Sequence, residues 1–288
     1  MIADFLVSWT LFHNTYLVGW LISLLLSLVG VLVVARDQIF IGAAISQAST
    51  LGIALALWVA GWAIFEQVHW LHSEAVVSIM AVASSVLAAL LTARGGEGGR
   101  ESHEAITGWV FLVSASVSIL IVAHSPHGLE EIHRLLASSI IGATRGDVWV
   151  FAVLFACTAL VIGLYHRPIL LFSIDPAMAA AAGIHITLMS VLLSAWLGLT
   201  VGLSIRVSGM LYTFGCLVLP ALVAKNVCRE VRPMLLVTPI VAIGTATVAF
   251  VLANYYDYPP AQMTVALLCL WVALAWVVRW LRAIRPAA

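Results

Sequence analysis

The sequence predicts an all-α integral membrane protein with about nine transmembrane helices. Two observations predict it: 63% of the 288 residues are apolar and only 9% are charged, and the apolar residues fall in runs long enough to cross a bilayer. A soluble domain carries roughly 25% charged residues, so a water-soluble enzyme is excluded. Because Lys plus Arg and Asp plus Glu both number 13, no basic surface is available for a nucleic-acid partner.

The predicted spans are apolar runs of about 17 or more residues between polar breaks. In chain order they cover approximately residues 14–35, 39–64, 75–93, 105–123, 148–165, 186–205, 210–227, 234–253 and 261–280. Runs of this length satisfy their backbone hydrogen bonds within one helix, whereas barrel strands would alternate apolar and polar residues. The chain is therefore predicted to form one polytopic transmembrane domain, residues 1–288.

Basic residues set the predicted orientation, because Lys and Arg are enriched in cytoplasmic loops. With nine spans and the N-terminus outside, ten of the 13 basic residues lie inside: Arg36, Arg94, Arg100, Arg167, Lys225, Arg229, Arg232, Arg279, Arg282 and Arg285. The other three, Arg134, Arg145 and Arg206, lie outside. This asymmetry favours an outer N-terminus and an inner C-terminus.

The second predicted span carries the densest group of polar residues: Ser46, Gln47, Ser49 and Thr50. At 100° per residue they fall within an arc of about 160° on one helix face. Such a face can line a translocation pathway or bond to neighbouring helices. The cores of the spans lack Asp, Glu and His, which disfavours a proton-driven carrier, since such carriers keep a titrating group near the midplane.

The sixth and seventh predicted spans contain residues that shape helices. Gly198 and Gly202 form a GxxxG pair that permits close helix approach. Pro220, with Gly209 and Gly215 upstream of it, predicts a kink, because proline removes one backbone hydrogen bond and clashes with the preceding turn. The kink is either a gate hinge in the pathway or a tolerated irregularity.

A short cytoplasmic helix is predicted at about residues 176–182, within a coupling segment of about 166–185. Asp175 can cap it, Pro176 suits its first position, and Gly183 suits its C-terminal stop. So short a helix is unstable alone in water. It is therefore interpreted as a docking element for a cytoplasmic partner, and Met178 is part of this element. The alternative is a helix lying in the membrane interface.

Two predicted outer loops are dense in possible metal ligands. The first contains Glu66, His69, His72 and Glu74, and the second contains His124, His127, Glu130, Glu131 and His133. Imidazole with carboxylate suits zinc, manganese or iron. We take His124, His127, Glu130 and His133 as the candidate metal site, the other reading being ordinary solvated loop residues.

No motif in the sequence supplies energy or catalysis. The glycine-rich stretch 95–99 lacks the Gly-Lys-Ser/Thr of a phosphate-binding loop, and no HExxH or GxSxG motif occurs. No catalytic residue is therefore assigned. The chain is predicted to be a transport subunit, and any nucleotide energy must come from another polypeptide.

From about residue 16 to residue 280, the sequence resembles the permease subunits of manganese/zinc-type ABC importers. The landmarks, in order, are Arg36, the Gly42–Ala48 run followed by 51–54, the Asp175–Pro176 helix ending at Gly183, the segment from Gly209 to Leu219-Pro220-Ala221, and the Tyr255–Pro259 run. The resemblance implies a homodimer in the bacterial cytoplasmic membrane, cytoplasmic ABC ATPases docked on the short helix, and an extracytoplasmic binding protein. It also implies a metal ion as transported cargo, with no permanently bound cofactor.

One departure from the family pattern concerns the cargo. The pattern Gly-Asp-Ala-x-Ser-His-Ala has an Asp and a His four residues apart, on one helix face, and these positions are Ala43 and Gln47 here. Neither residue is an anionic or imidazole ligand. The first hypothesis is therefore an importer permease for a metal ion, with a metal chelate or other larger cargo as the alternative. A carrier or channel without an ATPase is the hypothesis from another class.

Overall fold

The computed structural model describes residues 2–60, 74–94, 102–123 and 140–284. These ranges form nine α-helices and a 3₁₀ turn at Ile140–Gly142, and contain no strand. The helices are α1 (Ile2–Ala35), α2 (Ile39–Ala60), α3 (Glu74–Arg94), α4 (His103–Ala123), α5 (Arg145–Ile174), α6 (Pro176–Ala181), α7 (Ile186–Val227), α8 (Val231–Tyr256) and α9 (Pro260–Ile284). The predicted all-α fold is confirmed.

Within the described ranges, eight helices are long and apolar enough to cross a membrane. The nine predicted segments map onto these eight because the sixth and seventh lie in the single helix α7, which has 42 residues. A straight helix of that length would extend about 63 Å, twice the hydrocarbon thickness of a bilayer. The backbone leaves the helical conformation at Gly209, with φ 79° and ψ 169°, so that each half is about one span long.

Helix α5 continues further than predicted. Its backbone is non-helical at Tyr165, with φ −111° and ψ 22°, which is where the fifth predicted span ends. Helical structure then resumes and continues to Ile174. Pro168 is tolerated because it falls in the first turn after the kink, where its missing N–H would have no helical partner.

The described residues belong to two compact units. The first unit comprises residues 1–37, 139–174 and 215–288, and in it α1 packs against α5 and α8, while α8 packs against α9. Helix α1 is the buried centre of this unit, with Val18, Ile22, Leu25, Leu26, Val31 and Val34 fully buried. Its Gly30 lies directly against the backbone carbonyl of Leu217, so only a residue without a side chain fits there.

We expect Gly30→Ala to destabilise the first unit by about 1–3 kcal/mol, the range typical of overpacking. The new Cβ would overlap a carbonyl oxygen of Leu217, a backbone atom that cannot move aside as a side chain can. Thermal unfolding in detergent measures the effect. Gly244→Ala in α8 is the matched control, because nothing lies within 4 Å of a Cβ at that position. Equal melting temperatures for the two variants would contradict this packing.

The second unit comprises residues 38–138 and 175–214. In it α2 packs against both α3 and α4, and its small residues Ala44 and Ala48 lie against Ala88 and Val110. In the first half of α7, Gly198 lies against the backbone at 85–86, and Gly202 against Val82 and Ser85. The close approach predicted from the GxxxG pair is confirmed, with α3 as the partner helix.

Candidate functional site

The four polar residues predicted on α2 divide into two environments. Gln47 and Thr50 are half-buried and share a partly accessible stripe with Ala43, because residues spaced by three and four lie on one helix face. Ser46 and Ser49 are fully buried. The accessible part of the predicted face is therefore the stripe of Ala43, Gln47 and Thr50.

The hydroxyl groups on α2 differ in their hydrogen bonding. Thr50 Oγ1 donates to the carbonyl of Ser46 at 3.1 Å, as hydroxyls commonly do within helices. The Ser46 and Ser49 hydroxyls have no hydrogen-bond partner in the described part of the chain. A buried hydroxyl without a partner costs about 1–3 kcal/mol.

Gln47 meets a residue that is far away in sequence. Its Nε2 donates to the Sδ atom of Met210 at 3.1 Å, and both side chains are half-buried. Met210 is not among the pathway residues predicted from the sequence. The sequence signal that could have identified Met210 is its position directly after Gly209. In the structure Gly209 has a positive φ and changes the direction of the backbone.

Polar contacts fix the break in α7 from both sides. Ser208 Oγ donates to the carbonyl of Ser204 at 2.9 Å, and its oxygen lies 3.1 Å from Thr213 Oγ1 across the break. Before the break, Arg206 Nη1 donates to Ser78 Oγ on α3 at 2.7 Å. The segment that carries Gly209 and Met210 is therefore anchored within the second unit.

Pro220, the fifth predicted pathway residue, belongs to the first unit and is buried there. It lies three residues after Leu217, the residue whose carbonyl contacts Gly30 of α1. The structure thus brings Gln47 and Thr50 together on one stripe, places Ser46 and Ser49 behind it, and puts Pro220 in the core of the other unit.

The short helix α6 starts as its sequence predicts. Asp175, in extended conformation, is its N-cap, and the Oδ1 atom accepts a hydrogen bond from the Met178 N–H at 3.0 Å. Pro176 occupies the first turn, where it needs no hydrogen-bond partner. The helix covers 176–181, one residue shorter than predicted, which is within the ordinary uncertainty of helix ends.

The C-terminal end of α6 is a Schellman motif. The Gly183 N–H donates to the carbonyl of Ala180, and the Ile184 N–H to that of Ala179, both at 3.0 Å. Gly183 has φ +82°, the left-handed conformation that this motif requires and that glycine adopts without strain. Both ends of the helix are therefore closed by local hydrogen bonds.

Helix α6 presents an exposed, partly apolar surface. Met178 is 59% exposed, whereas the neighbouring Ala179 is fully buried. A capped helix with a protruding apolar side chain has the form of a docking element. The contacts of α6 alone do not identify what docks on it.

One end of the first unit gathers polar contacts from several helix termini. Lys225 Nζ pairs with Asp37 Oδ1 at 2.6 Å, Arg279 Nη1 donates to Asn226 Oδ1 at 3.2 Å, and Arg232 Nη2 lies 3.2 Å from His166 Nε2. The C-terminal ends of α1, α7 and α9 and the start of α8 therefore lie at the same end. This is the end that the basic-residue count predicts to be cytoplasmic.

Arg36 also lies at this end of the first unit. Its guanidinium stacks over the ring of Phe172, with Cζ 4.2 Å from the ring centroid. Burial lowers the pKa of Arg36 to about 10, because the charged form loses hydration. The guanidinium stays protonated at neutral pH, so the cation–π contact persists there. It fixes the end of α5 within the first unit.

The candidate metal ligands His124, His127, Glu130 and His133 lie outside the described residues, as do His69 and His72 of the first outer loop. Across residues 2–60, 74–94, 102–123 and 140–284, no group of three or more His, Cys, Asp or Glu side chains could hold a metal ion. The predicted metal site in the second outer loop stays a prediction.

Comparison with known proteins identifies related chains over nearly the full length. A model of the ABC 3 transport family matches residues 8–279. The "Manganese transport system membrane protein MntC" of Halalkalibacterium halodurans is 22% identical over 254 residues, 88% of this chain and 82% of that protein. The "Chelated iron transport system membrane protein YfeD" of Yersinia pestis is 21% identical over 252 residues, 88% of this chain and 80% of that protein.

A solved structure shares the fold. It is the structure of "PsaBC from Streptococcus pneumoniae in complex with Fab", and it superposes with a TM-score of 0.77 at 17% identity, covering 96% of this chain and 95% of that one. A likeness at this identity establishes a common architecture.

Proposed function

Because the chain belongs to the ABC 3 transport family, we propose that it imports a metal held in an organic chelate, driven by ATP hydrolysis on a separate chain. It is a multi-pass permease of the bacterial cytoplasmic membrane and a component of a metal ABC importer. The observation that carries the proposed cargo is the uncharged stripe of α2, where the Gln47 amide contacts the Met210 thioether.

The chemistry of this stripe suits a cargo that brings its own ligands. A divalent cation leaving water loses hydration that carboxylates, imidazoles or several oxygen ligands must replace. Ala43 offers no ligand, and Gln47 and Thr50 offer only neutral oxygens. A chelated metal is already coordinated, and its organic surface can pack against Met210 and accept a hydrogen bond from Gln47. The relative from Yersinia pestis is named as a chelated iron transport protein, which supports this cargo class.

A free metal ion is the second candidate, and two observations favour it. Several relatives carry names that mention manganese transport. The Ser46 and Ser49 hydroxyls lack partners within the part of the chain that the structure describes, and hydroxyl oxygens are acceptable ligands for hard cations. These ligands are neutral, so an ion at this level would be held less strongly than by a carboxylate.

In the proposed mechanism, α6 transmits motion from the ATPase. The hydrogen bonds at both ends stabilise this short helix, which is predicted to lie on the cytoplasmic side. Met178 offers an apolar contact for the ATPase. Two copies of the chain enclose the pathway, and an extracytoplasmic binding protein delivers the cargo. ATP-driven closure of the ATPase pair shifts α6. The pathway beside α2 then switches between being open to one side of the membrane and being open to the other.

Transport measurements in reconstituted vesicles separate the candidates. The chain is reconstituted with its ATPase and binding protein, and initial uptake of iron(III) citrate is compared with that of free Mn²⁺. We expect uptake of the chelate to require ATP and to exceed free-ion uptake. Faster uptake of Mn²⁺ would support the free ion, whereas uptake without ATP would point to a carrier that needs no ATPase.

We also propose that His124, His127, Glu130 and His133 receive metal at the outer face. Replacing the three histidines together by Ala is then expected to lower uptake at limiting cargo, because imidazole is a good ligand for these metals. Equal uptake rates of the variant and the wild-type chain at saturating cargo would agree with a role in capturing the cargo. Unchanged uptake at every concentration would make these residues ordinary loop residues.

A further inference from the structure

The contact between Gln47 and Met210 has two properties that a movable constriction needs. A thioether is a weak hydrogen-bond acceptor, so the 3.1 Å contact adds little stability and breaks readily. Methionine is also unbranched and polarizable, and it adapts its shape to different surfaces. The two side chains come from different helices, α2 and α7, and both stay partly accessible.

The position of Met210 depends on the preceding residue. Gly209 has φ 79° and ψ 169°, a conformation that is essentially restricted to glycine. This single residue interrupts α7 directly before Met210. Because the Ser208 and Thr213 hydroxyls lie 3.1 Å apart across this break, their contact helps to keep Met210 in its position beside Gln47.

We propose that Met210 determines cargo specificity, with its thioether and the Gln47 amide forming a neutral constriction that favours chelated over free metal. This inference rests on the proposed function, since it assigns a selective residue to the pathway of a metal importer. Gly209 acts as the positioning residue that aims Met210 at Gln47. The constriction discriminates because it contributes no charge to replace the hydration of a bare cation.

A pair of nearly isosteric variants tests this assignment. Met210→Glu places a carboxylate beside Gln47, and Met210→Gln places a neutral amide there. In vesicles with the ATPase and binding protein, we expect the Glu variant to shift the ratio of Mn²⁺ to iron(III) citrate uptake toward Mn²⁺ by about tenfold or more. The Gln variant should keep the wild-type ratio. An unchanged ratio in the Glu variant would overturn the assignment.

Two further measurements keep the test decisive. Met189→Glu, in the first half of α7, is the control for an added charge elsewhere and should leave the ratio unchanged. If the Met210→Glu chain does not fold, Met210→Cys in a background without native cysteines is treated with a water-soluble thiol reagent. Protection of Cys at 210 by iron(III) citrate supports the proposal, and equal modification with and without cargo contradicts it. Failure of the wild-type chain to take up either probe would instead count against the proposed function.

Discussion

Ala43→Asp combined with Gln47→His is expected to raise ATP-dependent uptake of free Mn²⁺ by about tenfold or more relative to uptake of iron(III) citrate. The two positions are four residues apart on the half-buried stripe of α2, so the new carboxylate and imidazole would face the same side. Together they would provide an anionic and a nitrogen ligand, as manganese and zinc prefer. The ratio of initial uptake rates in vesicles measures the change.

The charge of the new ligand pair can be separated from its shape. Ala43→Asn with Gln47→His has nearly the same volume as the first variant but lacks the carboxylate, and it should leave free-ion uptake near the wild-type value. If both double variants raise Mn²⁺ uptake equally, side-chain size rather than charge governs selection. If neither variant changes it, the stripe of α2 does not contact the cargo.

Met178→Asp is expected to reduce ATP-dependent uptake by more than about tenfold while leaving the fold of the permease intact. Burying a methionine side chain contributes roughly 1.5–3 kcal/mol, which corresponds to about tenfold or more in ATPase affinity. The side chain is 59% exposed, and it is the backbone N–H of Met178 that bonds to Asp175. The cap of α6 therefore survives the substitution, and co-purification of the ATPase gives the measurement.

Met178→Leu is the matched control, because it keeps an apolar side chain of similar volume. It should retain the ATPase and at least most of the uptake. Normal ATPase retention by the Asp variant would place the main docking contact elsewhere. Loss of the ATPase from both variants would mean that the thioether itself, rather than its apolar surface, is recognised.

Local signals account for the features that the sequence predicted well. The capped helix at 176–181 follows from Asp175, Pro176 and Gly183, whose conformational preferences act over a few residues. The spans follow from the length of apolar runs. The break in α7 is likewise a local effect of Gly209, although the sequence predicted a kink at Pro220.

Features that depend on packing between distant segments were not predictable. The contact of Gln47 with Met210 joins side chains 163 residues apart, and no periodicity reports it. The burial of Ser46 and Ser49, but not of Gln47 and Thr50, depends on which neighbours cover each side of α2. Pro220 was predicted to line the pathway together with the α2 residues. Its neighbours in the first unit bury it, and the sequence does not show which residues these are.

If an ATPase on the inner surface drives this permease through α6, that helix must be accessible from the inner side and covered by the bound ATPase. Ala180 is exposed, so Ala180→Cys in a background without native cysteines should react with a membrane-impermeant maleimide. We predict no labelling in cells with an intact inner membrane, labelling in inverted membrane vesicles, and protection there by the ATPase. Labelling from the outer side, or labelling of inverted vesicles that the ATPase does not reduce, would mean that α6 is not the contact through which an ATPase drives the permease.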